Sequence, residues 1–143
     1  MARKSAPDRD ADSPGDRNLS RSARMRLILE RDGTRCVWCR REIDTDKVLA
    51  TTEHLVPRIK GGPSWFENEM AACARCNRER GHRTPADWID ELERRGLEPE
   101  RDTVVRTLHL LQQAISERGG QRRARPYVVS QLRRLERGRP QPY

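Results

Sequence analysis

The stretch that specifies the fold of this chain is residues 53–77, which read EHLVPRIKGGPSWFENEMAACARCN. The stretch begins with an acid–histidine pair and ends with a Cys-x-x-Cys pair followed by an asparagine. A second Cys-x-x-Cys pair, Cys36 and Cys39, lies upstream. In a cytosolic protein such pairs are more typical of metal ligands than of disulfides. The sequence therefore predicts one metal site that ties this stretch to the upstream pair.

The four cysteines have the spacing of two zinc knuckles. Each Cys-x-x-Cys turn brings two thiolates to one ion, and two knuckles fill a tetrahedral site. The predicted zinc ligands are Cys36, Cys39, Cys73 and Cys76. A full site leaves no position open for water or substrate, so this zinc ion is predicted to be structural and to supply folding energy. The alternative interpretation is four free cysteines.

The composition favours one small domain with a polyanionic partner. Of the 143 residues 34% are hydrophobic and 36% charged, which is little apolar material for a core without a staple. The formal net charge of +8 favours nucleic acid as the partner, and a solvated basic surface is the alternative. The net charge is +3 over residues 1–31, −2 over 32–100 and +7 over 101–143. A near-neutral centre thus lies between two basic flanks.

The sequence carries no signal for export or for a membrane. Its first residues are basic, but four aspartates follow where a signal peptide needs an apolar run. No stretch approaches the roughly 18 apolar residues that span a bilayer. We therefore expect a cytoplasmic protein without membrane contact.

Three segments are predicted along the chain: a disordered polar tail over 1–18, a folded domain over 19–100 and a basic helical extension over 101–143. Apolar spacing and end signals predict helices over 20–31, 74–80, 84–95, 102–118 and 127–137. A strand is predicted over 47–53 and a turn over 44–46.

Several expectations concern the ends and faces of these helices. The predicted caps are Asn18 or Ser20 for the first helix, Thr84 for the third and Asp102 for the fourth. The first helix is expected to pack on the zinc region and to present its arginines elsewhere, namely Arg21, Arg24 and Arg31. The last helix is expected to bury Val128, Val129, Leu132 and Leu135.

Three polar side chains near the predicted strand end have the chemistry of a hydrolytic site. A histidine with a pKa near neutrality suits the activation of water, which makes His54 a candidate. Neighbours on a strand point to opposite sides, so Glu53 could hold a metal ion while His54 faces the water. The amide oxygen of Asn77 is a suitable ligand for a hard cation. Alternatively, His54 is a structural histidine with satisfied hydrogen bonds.

The order of these features resembles the HNH endonuclease family in its four-cysteine zinc form. The resemblance runs from about Arg31 to Trp88 and includes, in order, Cys-x-x-Cys, Glu-His-Leu-Val-Pro-Arg, Gly-Gly-Pro, Glu-Asn, Cys-x-x-Cys-Asn and Arg-Thr-Pro. It implies an α+β fold with a ββα-metal, treble-clef-like core and a structural zinc site. An N-terminal helix and C-terminal helices would flank that core, and residues 19–100 would be the nuclease domain.

The resemblance implies a divalent-metal-dependent DNA endonuclease that leaves a 5′-phosphate and a 3′-hydroxyl. The expected partner is double-stranded DNA, and the expected catalytic ion is Mg²⁺, Mn²⁺ or Ni²⁺. One active site cuts one strand, so a monomer should nick, whereas a double-strand break needs a homodimer or two encounters. The alternative is a non-catalytic, zinc-stapled module that binds nucleic acid.

The resemblance also implies residue roles. His54 matches the general base, and Asn68 matches the residue that helps to orient it through the intervening loop. Glu53 and Asn77 match the ligands of the catalytic ion, although the family more often has aspartate at the first of these positions. The basic residues expected to contact nucleic acid are Arg58, Lys60, Arg78, Arg133 and Arg134.

Overall fold

The structure is a computed structural model that describes residues 19–43 and 48–137. The predicted tail over 1–18 and the predicted turn over 44–46 lie outside the described residues. In chain order, the elements are α1 (Arg21–Asp32), β1 (Ala50–His54), 3₁₀ turns at Arg58–Lys60 and Phe66–Asn68, β2 (Glu69–Cys73), α2 (Ala74–Arg80), α3 (Pro85–Arg94), α4 (Arg101–Arg118) and α5 (Ala124–Arg137).

The two strands form an antiparallel hairpin that carries His54, the candidate base, at the end where the connecting loop begins. The register pairs His54 with Glu69 at one end and Ala50 with Cys73 at the other. Helix α2 follows β2 without a break, which completes the ββα arrangement implied by the family resemblance. The fold class is thereby confirmed. The strand predicted over 47–53 begins at Ala50 and includes His54.

Helix α1 packs against β2 and is capped as predicted by Ser20, whose hydroxyl accepts the amide proton of Ala23. We expected the arginines of this helix to point away from the zinc region against which it packs, and this is wrong for two of them, which contact β2. Arg24 pairs with Glu69 at 2.6 Å, and Arg31 donates to the Glu69 carbonyl at 2.8 Å. Hydrophobic spacing places the apolar face of a helix, but it does not say where long basic side chains reach.

The two helices around the second cysteine pair have the predicted positions. Helix α2 covers Ala74–Arg80 and is followed by Gly81. Helix α3 has Thr84 as its cap, with the Asp87 amide donating to the threonine hydroxyl at 3.1 Å, and a proline at its first position. These local signals lie within one helical turn of each end, which explains why the sequence was sufficient to find them.

The C-terminal helices differ in detail from the prediction. The cap of α4 is Glu100, and Asp102 lies inside its first turn, where a carboxylate still favours the helix dipole. Helix α5 begins at Ala124, three residues before its predicted start at 127. Pro126 is tolerated there because it lies in the first turn, where a residue without an amide proton breaks no hydrogen bond of the helix. Val129, predicted to be buried, is 41% exposed.

Both C-terminal helices share the hydrophobic core with the preceding elements. Helix α4 packs against α5 and the Phe66–Asn68 turn, and α5 also packs against α3. The fully buried Trp38 and Trp88 belong to the same core as Leu108 of α4 and Leu135 of α5. The division of the chain at residue 100 stays a prediction. None of the helices in the described part of the chain has the length and apolar character needed to cross a bilayer.

Candidate functional site

The four cysteines come together as predicted. Their sulfur atoms all lie within 4.8 Å of one another, and the Sγ atoms of Cys39 and Cys73 are 3.9 Å apart. Four thiolates at about 2.3 Å from one zinc ion would be separated by about 3.8 Å. The donor set and its spacing therefore fit a zinc ion.

Local backbone geometry builds each half of this cluster. In the first knuckle the chain turns back at Arg40, which has a positive φ of 67°. The turn is closed by the Arg40 amide, which donates to the Cys36 carbonyl at 2.8 Å. In the second, Cys73 is the N-cap of α2, and its sulfur accepts the Cys76 amide proton at 3.5 Å. Such N–H···S bonds stabilise thiolates. A zinc ion held by all four thiolates would have no open position, which is typical of a structural site.

His54 lies at the end of β1, with 19% of its side chain exposed. Its Nε2 atom is 3.0 Å from the Ser64 hydroxyl and 3.4 Å from a carboxylate oxygen of Glu69. Burial and, after it, the guanidinium groups of nearby arginines, that of Arg58 foremost, together lower the pKa of His54 to about 4. The imidazole is therefore neutral at neutral pH, which is the form that can accept a proton from water.

A cleft of about 550 Å³ opens beside this histidine between α1, β1 and α2. It contains two of the predicted site residues, and its lining consists of Arg21, Ser22, Met25, Leu49, Ala50, Thr51, Thr52, His54 and Asn77. The proximity of the candidate base to the candidate ligand follows from the packing of α2 on the hairpin. Helix α1 supplies the opposite wall, with an arginine at its first position.

Asn77 is fixed against β1 through its amide nitrogen. That nitrogen donates to the Thr51 hydroxyl at 3.0 Å and to the Thr52 carbonyl at 3.2 Å. The amide oxygen is thereby left for another partner. Because Asn77 follows Cys76 directly, the zinc cluster determines where this oxygen lies.

Glu53 is positioned differently. It is 5% exposed, and it is not among the residues that line the cleft. The Trp38 indole donates to its Oε2 atom at 2.8 Å, and the Arg80 guanidinium lies 3.2 Å from the same oxygen. Burial raises the pKa of Glu53, and the charge of Arg80 opposes that rise. Both contacts use Oε2, which leaves Oε1 as the oxygen that a cation would have to bind.

Asn68 is fully buried and holds the loop that follows His54. Its side chain accepts the Val56 amide proton at 2.9 Å and donates to the carbonyls of Val56 at 3.1 Å and Pro63 at 2.9 Å. These contacts are to backbone atoms and not to the imidazole. The loop closes so tightly that a Cβ atom at Gly62 would lie 1.7 Å from the Val56 carbonyl oxygen, so only glycine fits there.

The five basic residues predicted to contact nucleic acid are all exposed, namely Arg58, Lys60, Arg78, Arg133 and Arg134. They differ in their pairing. Arg134 lies 2.6 Å from an Asp87 oxygen and 3.8 Å from an Asp90 oxygen, so two acids of α3 offset its charge. Arg134 is therefore less available to a phosphate group than its sequence position suggested.

Sequence reasoning missed three residues around the histidine: Glu69 and Ser64, which contact its ring, and Arg24, which contacts Glu69. It also missed Arg80, a buried arginine that donates to the carbonyls of His54 and Leu55 at 2.8 Å each. The antiparallel register places Glu69 opposite His54, so an antiparallel alignment of the two strand sequences was the signal that could have found it.

The hairpin, the helix and the four-cysteine cluster together define a ββα domain with a four-thiolate site that fits zinc. A family model described as HNH endonuclease matches residues 36–93, which is 58 of the 143 residues and includes both knuckles, the hairpin and most of α3. Residues 36–93 thus match the HNH endonuclease family, and the predicted resemblance is confirmed. A search of the curated proteins gave no match. The family supports a nuclease-type function on nucleic acid.

Proposed function

We propose that this protein is a divalent-metal-dependent endonuclease that hydrolyses phosphodiester bonds of double-stranded DNA, with His54 as the general base. The observation that carries the proposal is the neutral, partly exposed imidazole at the edge of a cleft inside a matched HNH domain. In this role His54 takes a proton from the attacking water. Arg80 holds the backbone of His54 through its carbonyl, and Asn68 holds the loop that follows it.

The residues proposed to hold the catalytic ion are Glu53 and Asn77, which offer hard oxygen donors suited to Mg²⁺, Mn²⁺ or Ni²⁺. When bound, such an ion stabilises negative charge on the phosphate and on the leaving oxygen. Within the described residues, a hydrogen bond from Trp38 and the ion pair with Arg80 orient the Glu53 carboxylate, and hydrogen bonds to β1 orient the Asn77 amide. Because Arg80 already balances the charge of Glu53, we expect the ion to bind weakly.

The proposed DNA path runs over the basic residues beside the cleft. Arg21 lines the cleft itself, and Arg58 and Lys60 lie in the 3₁₀ turn within the loop that follows His54. Exposed arginine and lysine side chains of this kind are suited to neutralising phosphates. A single cleft would nick one strand, and a double-strand cut would use a homodimer or two encounters.

The test of catalysis is cleavage of supercoiled plasmid with Mg²⁺, Mn²⁺ or Ni²⁺ by wild type and His54→Ala. His82→Ala and His109→Ala are matched controls, because both histidines are exposed and lie outside the cleft. We expect the two controls to cut like wild type and His54→Ala to lose cleavage while keeping its zinc. Equal cleavage by wild type and His54→Ala would refute the assignment of the base.

The alternative, a binding module without catalysis, predicts a different pattern. Such a module would bind DNA in a salt-dependent manner and would not cut it with any of the three ions. The wild-type protein and the His54→Ala variant would bind DNA with equal affinity.

The DNA path is tested separately through binding. We expect Arg58→Ala to weaken duplex binding and to reduce the slope of log K against log salt by about one. Arg134→Ala, whose side chain is paired with Asp87, should change that slope less. Equal slopes for the two variants would contradict the proposed path.

A further inference from the structure

The carboxylate of Glu69 is an unusual feature of the hairpin. Every residue of β2 is buried, and its other side chains are those of methionine, two alanines and a zinc-ligand cysteine. Glu69 has a side-chain exposure of 0%. A buried carboxylate is costly unless it is paired, and burial raises the pKa of this one. An acid at this position therefore calls for a specific reason.

The two oxygens of Glu69 have different partners. Oε1 lies 2.6 Å from the Arg24 guanidinium, a charge-assisted contact that favours the ionised form. Oε2 is buried, has no hydrogen-bond partner within the described residues, and lies 3.4 Å from Nε2 of His54. One oxygen thus anchors the carboxylate to α1, and the other is directed towards the imidazole.

We infer that Glu69 is a positioning residue for His54, and that this role deepens the proposed nuclease function on which it rests. An ionised carboxylate can only accept a hydrogen bond, so Glu69 keeps the proton of the neutral ring on Nε2. Nδ1 is then the nitrogen with a free lone pair, and it is the atom that accepts the proton of the water. Arg24 holds the carboxylate in place and in its ionised form.

Ser64 completes this arrangement. Its hydroxyl is 3.0 Å from the same Nε2 atom, and a hydroxyl can donate or accept. By itself it would permit either tautomer of the ring. The carboxylate removes that ambiguity, because it repels a lone pair on Nε2 and attracts a proton there.

A purely structural role for Glu69 is the competing explanation, since its ion pair with Arg24 also ties α1 to the hairpin. The matched control is Glu67→Gln. Glu67 is also a mostly buried glutamate in an arginine pair, with Arg118 at 3.3 Å, and it lies two residues away without a contact to His54 in the described part of the chain. The two substitutions therefore remove similar ion pairs, and only Glu69→Gln alters the surroundings of the imidazole.

The first experiment needs no nuclease activity. It measures ¹⁵N shifts of the histidine rings in the zinc-loaded full chain at neutral pH, with the His54 signals assigned by their loss in His54→Ala. We expect the Nε2–H tautomer in wild type and in Glu67→Gln. In Glu69→Gln the amide can donate to Nε2, so the Nδ1–H tautomer should become substantial. Finding the Nδ1–H tautomer in the wild-type protein would overturn the inference without any variant. Finding the same tautomer in Glu69→Gln as in wild type would also overturn it.

The second experiment compares cleavage rates. We expect Glu69→Gln to lower kcat on the order of 10- to 100-fold with KM nearly unchanged, and Glu67→Gln to keep wild-type kinetics. Equal kcat values for wild type and Glu69→Gln would overturn the inference. Glu69→Asp keeps the charge but withdraws it from the ring, so it should lower kcat less. If wild type itself does not cut, the proposed function fails, whereas the tautomer measurement still decides the relation between Glu69 and His54.

Discussion

Replacement of Asn68 by alanine is the sharpest test of how the loop after His54 is held. The substitution removes three hydrogen bonds, two to Val56 and one to Pro63, and the side chain that makes them is 0% exposed. At about 1 kcal/mol of net stability per bond, the expected loss is about 3 kcal/mol. That is a large share of the roughly 5–15 kcal/mol that stabilises a domain.

The same substitution should also displace His54, the candidate base. Val56 is two residues beyond His54, and a displacement of about 1 Å in a reacting group costs on the order of 100-fold in rate. We therefore expect Asn68→Ala to lower both the urea midpoint and kcat, with zinc content unchanged.

The measurements are urea unfolding followed by tryptophan fluorescence, zinc analysis and plasmid cleavage. The control is Gln113→Ala, which removes an exposed amide that donates to Glu117 at 3.2 Å and should cost less than about 0.5 kcal/mol. A loss below about 1 kcal/mol for Asn68→Ala, together with wild-type cleavage, would refute this account of the loop.

Three further predictions concern the glycine turn, the zinc cluster and the buried arginine. Gly62→Ala places a Cβ atom 1.7 Å from a backbone oxygen, so the thermal midpoint should fall markedly, and an unchanged midpoint would contradict the close approach of the two loop segments. Cys39→Ser should reduce bound zinc below one ion per chain and lower helical circular dichroism, as should chelation of wild type, whereas full zinc occupancy would argue against a four-thiolate site. Arg80→Met leaves the charge of Glu53 buried and should cost about 3–5 kcal/mol in urea unfolding. Adding Glu53→Gln to Arg80→Met should recover part of that loss, and no recovery would mean that the ion pair is not its cause.

The parts of this protein that could be predicted from the sequence are those governed by short-range rules. The knuckle spacing, the cap and proline of α3 and the glycine after α2 each act within one turn of the chain, so the pattern alone was sufficient. The family resemblance added the pairing of the two strands, which the residues between Met70 and Cys73 did not indicate by themselves.

The parts that could not be predicted depend on which side chains meet across the fold. Glu53 is next to His54 in sequence, yet its carboxylate contacts Trp38 and Arg80 instead of lining the cleft. Likewise, the sequence indicated that Arg134 was free to contact nucleic acid, whereas the packing of α5 on α3 pairs it with Asp87. Partners of charged side chains are set by long-range packing, and periodicity carries no information about them.

The surroundings of His54 show the same division. The order of residues was enough to establish that a histidine follows an acid at a strand end, near a zinc-anchored asparagine. The hairpin register was needed to establish that Glu69, fifteen residues later, lies opposite that histidine, with Arg24 of α1 behind it. Register depends on the closure of the loop between the strands, and that closure is held by Asn68 and Gly62 through contacts that exist only in the folded chain.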